Sequence, residues 1–301
     1  MSTLERYPNF VIAGAPKCGT SSLYFWLAPH PEVCASSVKE TFFLADEVSR
    51  FNKDLNFKKD GLKAYSRFFS ACHRQKIIFE ATAPYIYYNT PIEVLPKLDP
   101  IPKIGFVLRD PAKRIYSKYS YNRYKLKYDT GSFDRYVSRE GEGFAGIHVE
   151  EGMYARFIAK YIQTFGMENI FVITLEELLR DKVQGMKKLA TWLDIDPEFY
   201  DQFNFSKRNE TFGVRSSFLH RLGLKLQPLV PYGIQEALIP VYQKLNGTAI
   251  PSISSVEKDL VDQLSEFYIP FNRELQLLIP DLDLSGWLHS EKFSRVLGDI
   301  K

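Results

Sequence analysis

The residues best placed for chemistry form one short loop, Gly14-Ala15-Pro16-Lys17-Cys18-Gly19-Thr20-Ser21. An apolar run at residues 10–13 predicts a buried strand before it, and residues 21–27 predict a helix after it. A tight strand-to-helix turn directs backbone N–H groups and a helix N-terminus towards one point, which attracts phosphate or a similar anion. The loop residues that we expect to bind this anion are Lys17, Cys18, Gly19, Thr20 and Ser21. The alternative is an ordinary strand–turn–helix connection with a surface lysine.

The spacing is close to a P-loop but differs at the lysine. A Walker loop places a lysine directly after its second glycine, whereas Thr20 occupies that position here and the lysine lies inside the loop, at Lys17. The spacing thus indicates the same kind of anion with different chemistry. Neither a Walker B acid after an apolar strand nor a carboxylate cluster is evident, so we expect no metal.

A second anion site is indicated about ninety residues later. Residues 103–108 predict a strand that ends in Arg109-Asp110-Pro111, where Asp110 suits a helix N-cap and Pro111 the first helical turn. Ser117 then lies about two turns into the helix. An arginine at a strand end beside a helical serine can hold an anion bidentately. The alternative is a basic, solvated helix face.

The segment Lys39-Glu40-Thr41-Phe42-Phe43 joins an ion pair directly to an aromatic run. A carboxylate in an apolar pocket has a raised pKa, which suits a general base. The alternative is a salt-bridged turn beside core phenylalanines. Three aromatic residues could line an acceptor pocket or pack in the core: Phe42, Tyr85 and Tyr154.

The elements that must position these residues alternate along the chain. Strands are predicted at residues 10–13, 77–81, 103–108 and 170–174, and helices at 62–72, 152–165, 176–180, 182–193, 218–226 and 255–279. This alternation predicts an α/β fold with a central, mostly parallel sheet flanked by helices. Both anion sites then follow strand ends and lie at one edge of the sheet. With no linker or repeat, we expect one domain, 1–301.

The composition excludes several classes of protein. A net charge of +3 over 301 residues does not indicate nucleic acid, and no apolar run approaches the length of a membrane span. The three cysteines have an odd count and no metal-type spacing, which predicts no disulfide framework and a reducing compartment. Without a signal-peptide core at the N-terminus, we expect a cytoplasmic protein that acts on a small-molecule acceptor without nucleic-acid or membrane partners.

Two anion sites without a required metal suit a nucleotide with two separated phosphate groups. The run Pro16-Lys17-Cys18-Gly19-Thr20-Ser21-Ser22-Leu23 resembles the 5′-phosphosulfate loop of sulfotransferases that use 3′-phosphoadenosine 5′-phosphosulfate (PAPS). Arg109-Asp110-Pro111, with Arg114, Ser117 and Tyr119, resembles their 3′-phosphate motif. The resemblance extends over most of the chain through four further segments: residues 39–43 and 80–85, as in the heparan-sulfate type, residues 209–220, as in the loop that closes on the cofactor, and residues 283–287, as at the usual chain end.

This resemblance implies a P-loop-like sulfotransferase fold, PAPS as donor and 3′,5′-ADP (PAP) as product. It assigns catalysis to Lys17 and to Glu40, the latter as the base. The histidine-base pattern of the cytosolic phenol and steroid enzymes is not evident, and His148 is the weaker candidate base. It assigns the 3′-phosphate to Arg109, Ser117 and Arg215.

Two positions depart from the heparan-sulfate pattern. Ala81 replaces a frequent lysine and Phe42 a frequent histidine, which makes the acceptor side less polar. We therefore expect transfer to a hydroxyl or amine of a small, partly apolar acceptor of natural-product type. The alternatives are a carbohydrate sulfotransferase of glycosaminoglycan type, a P-loop nucleotide kinase, and a nucleotide-binding scaffold without activity.

Overall fold

The fold was taken from a computed structural model, which describes residues 5–48, 55–138, 143–205, 213–216, 242 and 244–288. The strands are β1 (Phe10–Gly14), β2 (Val33–Ala35), β3 (Ile77–Ala81), β4 (Lys103–Leu108), β5 (Ile170–Thr174), β6 (Gly213–Val214) and β7 (Gly247–Thr248). The α-helices are α1 (Thr20–Leu27), α2 (Phe57–Asp60), α3 (Thr90–Val94), α4 (Pro111–Ser120), α5 (Phe133–Val137), α6 (Ile147–Glu150), α7 (Tyr154–Phe165), α8 (Leu175–Arg180), α9 (Lys182–Trp192) and α10 (Ser255–Leu278). A π-helical turn covers Tyr121–Lys125, and 3₁₀ helices cover Leu62–Phe69, Ala83–Tyr87, Leu95–Lys97, Met167–Asn169, Pro197–Asp201 and Ser285–Trp287.

Five strands form one parallel sheet in the order β2-β3-β1-β4-β5. The central strand β1 pairs with β3 on one side and β4 on the other, so that Phe10 lies opposite both Phe79 and Lys103. The predicted parallel sheet is therefore confirmed. Because parallel strands share their direction, the chain leaves β3, β1 and β4 at the same edge.

Each face of this sheet has its own apolar core. Along β1, Val11 and Ala13 belong to one core, and Phe10 and Ile12 belong to the other. This alternation follows from the two-residue period of a strand. Helix α7 and the 3₁₀ helix Leu62–Phe69 cover the first face, while α1, α8 and α9 cover the second. The prediction of helices on both faces is confirmed.

Most element bounds agree with the sequence prediction. Strand β1 is one residue longer than predicted, and β3, β4 and β5 have the predicted limits. The segment predicted as a helix over residues 62–72 is a 3₁₀ helix, Leu62–Phe69. Strand β2 was missed, because three residues are too few to show a period. The helix predicted at residues 218–226 lies outside the described residues.

The chain divides into two compact units, each of which contains separate stretches of sequence. The first comprises residues 1–110, 153–208 and 269–289 and holds the five-stranded sheet. The second comprises residues 111–152, 209–268 and 290–301 and includes α4, α5, α6 and the antiparallel pair β6–β7. The single domain over 1–301 stays a prediction.

One expectation about the cysteines was wrong. Cys34 in β2 and Cys72 form a disulfide, with their Cα atoms 5.6 Å apart, while Cys18 is a buried free thiol. The two half-cystines are 38 residues apart in sequence and meet only because β2 lies beside the end of the 3₁₀ helix Leu62–Phe69. The cysteine count therefore no longer supports a reducing compartment. Within the described residues, every helix is too short or too polar to cross a bilayer.

Candidate functional site

The loop of residues 15–19, called here the donor loop, connects the central strand β1 to α1. Gly19 is the N-cap of α1 with φ 92°, a left-handed conformation that glycine adopts readily. A Cβ at this position would lie 2.6 Å from Leu175 Cδ1. In the part of the chain that the structure describes, no side chain caps the first turn of α1. Its first backbone N–H groups thus suit an anion that approaches from the loop.

Lys17 and the two hydroxyl residues lie in and directly after this loop. Lys17 is half-buried and has φ 69°, so the loop has two left-handed residues within three positions. Thr20 is buried and Ser21 is half-buried at the start of α1. The structure therefore brings Lys17, Gly19, Thr20 and Ser21 together around one helix N-terminus, as the spacing predicts.

Tyr154 connects the donor loop to the end of β4. Its hydroxyl donates to the carbonyl oxygen of Arg109 at 2.8 Å and lies 3.6 Å from Cys18 Sγ. The Tyr154 side chain is 1% exposed, and the Cys18 N–H already donates to Ala15 O at 3.2 Å. Through these contacts Tyr154 and Cys18 stabilise the donor loop and the end of β4. The role of Tyr154 in acceptor binding and that of Cys18 in cofactor binding stay predictions.

The three strand ends that carry candidate residues are neighbours in the sheet. The donor loop follows β1, Arg109 follows β4, and Ala83 lies two residues beyond β3. Since β1 lies between β3 and β4 with parallel pairing on both sides, Lys17 and Arg109 follow the same edge of the sheet. This confirms the arrangement expected from the sequence.

Glu40 lies in residues 39–44, called here the glutamate segment, which has no helix or strand. Its Oε1 accepts a hydrogen bond from the Ala83 N–H at 3.1 Å and lies 3.4 Å from Lys39 Nζ. The Glu40 side chain is 24% exposed. The ion pair of the second interpretation is present, and the carboxylate is held by a backbone N–H beyond the end of β3. The role of Glu40 as a base stays a prediction.

A second carboxylate, next to this segment, was not predicted from the sequence. Glu80, in β3, is fully buried and accepts hydrogen bonds from the hydroxyls of Tyr65, Thr41 and Thr82. Burial raises the pKa of Glu80, although these hydroxyl hydrogen bonds oppose the shift. Its position in the sequence could have indicated this role, because an acid inside an otherwise apolar strand needs polar partners when it is buried.

Two of the aromatic residues predicted to bind the acceptor lie in or beside the same region. Tyr85 is fully buried, and its hydroxyl accepts the Leu44 N–H at 3.0 Å. Phe42 is half-buried and has φ 50°, which is unusual for a residue with a bulky side chain. Tyr85 thus has the contacts of the core alternative, while Phe42 is half-buried and lies two residues after Glu40.

The second unit contains a separate charged cluster on α4. Arg114 is fully buried and lies 3.1 Å from Glu151, which is also 2.7 Å from Lys118. Burial opposes ionisation, but the His148 ring, 3.8 Å away, and the charges of Lys118 and Arg114 lower the pKa of Glu151 to about 2. The His148 ring stacks on Tyr136 at 4.5 Å. His148, the weaker candidate base, is therefore engaged in this cluster.

The two remaining residues predicted to bind the 3′-phosphate also belong to the second unit. Ser117 is half-buried on α4. Arg215 is exposed, and its backbone N–H donates to Asn246 O at 2.9 Å. Most of the loop predicted to close on the cofactor lies outside the described residues. Among the residues described, no cluster of three His, Cys, Asp or Glu side chains could hold a metal ion.

Comparison with solved structures identifies a similar fold over nearly the whole chain. A sulfotransferase from Alicyclobacillus acidocaldarius matches with a TM-score of 0.67 and 25% identity, over 94% of this chain and 100% of that one. This similarity confirms the predicted sulfotransferase fold.

The curated relatives match nearly all of this chain, but the match covers only part of their own length. The human bifunctional heparan sulfate N-deacetylase/N-sulfotransferase 3 is 26% identical over 96% of this chain and 32% of its own. The mouse heparan sulfate glucosamine 3-O-sulfotransferase 3B1 is 23% identical over 90% of this chain and 63% of its own. The chain thus spans about a third of the length of the relatives that it matches first.

A protein-family model also matches the part of the chain that contains the motifs. The model of the sulfotransferase domain matches residues 7–212, a range that contains the donor loop, the glutamate segment and Arg109. Since this match covers more than half of the chain, the protein belongs to the sulfotransferase domain family.

Proposed function

We propose that this chain transfers a sulfuryl group from PAPS to a hydroxyl or amine of an acceptor. The observation that carries the proposal is the sheet order, in which the strand leading to Lys17 lies between the strand leading to Arg109 and the strand whose end holds Glu40. An anion-binding lysine loop thus lies between a second cation and a carboxylate. Membership of the sulfotransferase domain family supports the same reaction.

In this mechanism each residue acts on one bond. Glu40 takes the proton from the acceptor hydroxyl or amine as that atom attacks sulfur. Lys17 neutralises the charge that grows on the oxygen between sulfur and the 5′-phosphate as that S–O bond breaks. The N–H groups at the start of α1, with the hydroxyls of Thr20 and Ser21, hold the 5′-phosphate. The products are the sulfated acceptor and PAP.

The donor's 3′-phosphate is assigned by motif to three cationic or hydroxyl residues. These residues are Arg109, Ser117 and Arg215. Bidentate hydrogen bonding by an arginine would distinguish PAPS from ATP, which lacks a 3′-phosphate. This joint role is a prediction from the sequence resemblance.

The acceptor is proposed to be small and partly apolar. Ala81 and Phe42 remove polar groups that the heparan-sulfate pattern often carries, and Phe42 lies two residues after Glu40. The competing proposal is a carbohydrate acceptor, which the names of the relatives favour. A panel of phenols, aliphatic alcohols, amines and glycosaminoglycan oligosaccharides separates the two by intact-mass detection of an added sulfate.

The cellular compartment is a separate question. The sequence predicts a cytoplasmic protein, whereas the disulfide Cys34–Cys72 is typical of an oxidising compartment. Thiol labelling of protein taken directly from its native cells, before and after reduction, distinguishes the two.

Calorimetry tests the donor proposal first. We expect 3′,5′-ADP to bind more tightly than ATP and to bind equally well with and without Mg²⁺. A nucleotide kinase would instead prefer ATP with Mg²⁺. A scaffold without activity would bind 3′,5′-ADP but transfer no sulfuryl group to any acceptor in the panel.

A further inference from the structure

The proposed chemistry leaves one fully buried carboxylate without a role. Glu80 Oε2 accepts hydrogen bonds from Thr41 Oγ1 at 2.7 Å and from Thr82 Oγ1 at 2.6 Å, and Oε1 accepts one from the Tyr65 hydroxyl. Three hydroxyl protons therefore converge on this side chain. A carboxylate can accept all of them, because its ionised form has only acceptor sites.

Two of these hydroxyls, together with that of Tyr85, also accept hydrogen bonds from the backbone that follows Glu40. Thr82 Oγ1 accepts the N–H groups of Thr41 at 3.1 Å and Phe42 at 3.4 Å, Thr41 Oγ1 accepts that of Phe43 at 3.2 Å, and the Tyr85 hydroxyl accepts that of Leu44 at 3.0 Å. Four consecutive backbone N–H groups are thus bound by three side-chain hydroxyls. This replaces the ladder that a helix or strand would provide.

The carboxylate fixes the direction of these hydrogen bonds. A hydroxyl has one proton and two lone pairs, so a hydroxyl that donates to Glu80 presents its lone pairs to the backbone. Thr41 donates to Glu80, and the Tyr85 hydroxyl, 3.1 Å from Thr41 Oγ1, can then donate to Thr41. The order of donors and acceptors therefore extends from Glu80 through Thr41 to Tyr85.

The backbone held in this way is strained and lies next to the proposed base. Phe42 has φ 50°, in the left-handed region, which persists only where surrounding contacts enforce it. Glu40 is anchored to the same strand end, because its Oε1 accepts the N–H of Ala83, the residue after Thr82. The base and its following turn are thus both attached to residues 80–85.

We propose that Glu80 is a positioning residue, which holds residues 41–44 through the hydroxyls of Thr41 and Thr82 and so directs the Glu40 carboxylate towards the acceptor. This role rests on the proposed function, in which Glu40 takes the acceptor proton. Glu80 does not contact the donor or the acceptor in this proposal.

The first test is Glu80→Gln, which keeps the shape but places an amide donor among hydroxyl donors. We expect kcat to fall by roughly 10²-fold, as when a catalytic group is misplaced. The KM for PAPS and the affinity for 3′,5′-ADP should stay unchanged, because the donor loop follows β1, whereas the network lies in β3, just beyond it and in the glutamate segment. A folded Glu80→Gln protein with wild-type kcat would overturn the proposal.

Two buried tyrosines provide a matched control. Tyr85 and Tyr200 are both fully buried, but the Tyr85 hydroxyl accepts the Leu44 N–H, whereas the Tyr200 hydroxyl donates to Trp26 O at 3.3 Å. Tyr200→Phe keeps a buried ring and loses one hydroxyl whose partner lies outside the glutamate segment. We expect Tyr85→Phe to lower kcat and Tyr200→Phe to leave it near the wild-type value. Equal kcat losses in the two variants would indicate a general effect on the core and contradict the proposal.

Should Glu80→Gln fail to fold, substitutions at Thr41 test the same hydrogen bonds. Thr41→Val removes the hydroxyl at nearly constant shape and should lower kcat, whereas Thr41→Ser keeps the hydroxyl and should restore most of it. If both variants have the same kcat, the hydroxyl has no positioning role and the proposal is wrong.

Amide hydrogen exchange gives a readout that does not depend on activity. In Glu80→Gln, or in Thr41→Val, peptides that cover residues 41–44 should exchange faster, while peptides from β4 should be unchanged. Unchanged exchange in residues 41–44 would contradict the positioning role. A wild-type protein that transfers no sulfuryl group would defeat the proposed function instead, while exchange would still report whether Glu80 holds the segment.

Discussion

The donor loop and the glutamate segment lie in the same unit and follow the same edge of the sheet, but different interactions hold them. The donor loop is fixed by backbone geometry between β1 and α1, with Gly19 as a left-handed N-cap. The glutamate segment has no helix or strand, and the hydroxyls of Thr82 and Tyr85, which follow β3, bind its backbone. One half of the proposed site is therefore encoded locally, and the other half depends on residues about forty positions away.

This difference predicts how the two regions respond to substitution. Changes in the donor loop should affect donor binding and catalysis together, because its backbone binds the anion directly. Changes around the glutamate segment should affect turnover with little effect on the donor.

Glu40→Gln should lower kcat by roughly 10²–10⁴-fold, because an amide cannot take the acceptor proton. Affinity for 3′,5′-ADP, measured by calorimetry, should not change. Glu47→Gln is the matched control, since Glu47 is an exposed carboxylate nearby and should have no effect. Near-full turnover in Glu40→Gln would remove Glu40 as the base and make His148 the next candidate to test.

Lys17→Ala should reduce turnover by about 10²–10³-fold, because the charge that grows on the bridging oxygen loses its partner. A transfer assay with radiolabelled PAPS measures this loss. Lys63→Ala serves as the control, because the Lys63 side chain is 86% exposed. A Lys17→Ala enzyme as active as Lys63→Ala would show that the donor loop does not neutralise the leaving group.

The double substitution of Cys34 and Cys72 by serine should lower the free energy of unfolding by about 2–4 kcal/mol, as for typical disulfides. The disulfide joins β2 to the end of the 3₁₀ helix that carries Tyr65, so it supports the side of the sheet on which the glutamate segment depends. Denaturant unfolding measures the loss.

Reducing agent provides the control for the disulfide. It should destabilise the wild-type protein and leave the double variant unchanged. If it has no effect on the wild-type protein, the disulfide does not contribute to stability.

Gly19→Ala should cost about 1–3 kcal/mol of stability, because a non-glycine residue is strained in the left-handed region. Its Cβ would also lie 2.6 Å from Leu175 Cδ1 and displace that side chain. Thermal unfolding and calorimetry with 3′,5′-ADP should both report the change, since the start of α1 would shift.

Gly61→Ala separates strain from function. Gly61 also has a positive φ, 70°, but a Cβ there would meet nothing within 4 Å. We expect this variant to lose stability without losing affinity for 3′,5′-ADP. Equal affinity losses in both variants would mean that the donor loop has no special role in binding.

Prediction from sequence succeeded wherever a pattern was local. Strands β3, β4 and β5 were predicted with their observed limits, because each is a short apolar run between polar or turn residues. The start of α4 at Pro111 followed from a proline that suits the first helical turn. The donor loop was predicted because its glycines and lysine lie within a few residues of one another.

Prediction failed wherever partners lie far apart in sequence. The disulfide Cys34–Cys72 was not predicted, because an odd number of cysteines does not show which pairs meet. Strand β2 has three residues, which is too short for its pairing with β3 to leave a periodic signal. Glu80 appeared to be one acid in an apolar strand, and its hydroxyl partners became visible only in three dimensions.

The amino-acid sequence by itself determined the parallel α/β architecture, the lysine loop after the first strand and the arginine after β4. These depend on backbone preferences and on interactions between residues close along the chain. Only the tertiary structure decided how Glu40 is held, because residues 39–44 have no backbone ladder of their own. The N–H groups of residues 41–44 are bound by hydroxyls of Thr41, Thr82 and Tyr85, and the direction of those bonds is set by a buried carboxylate in β3.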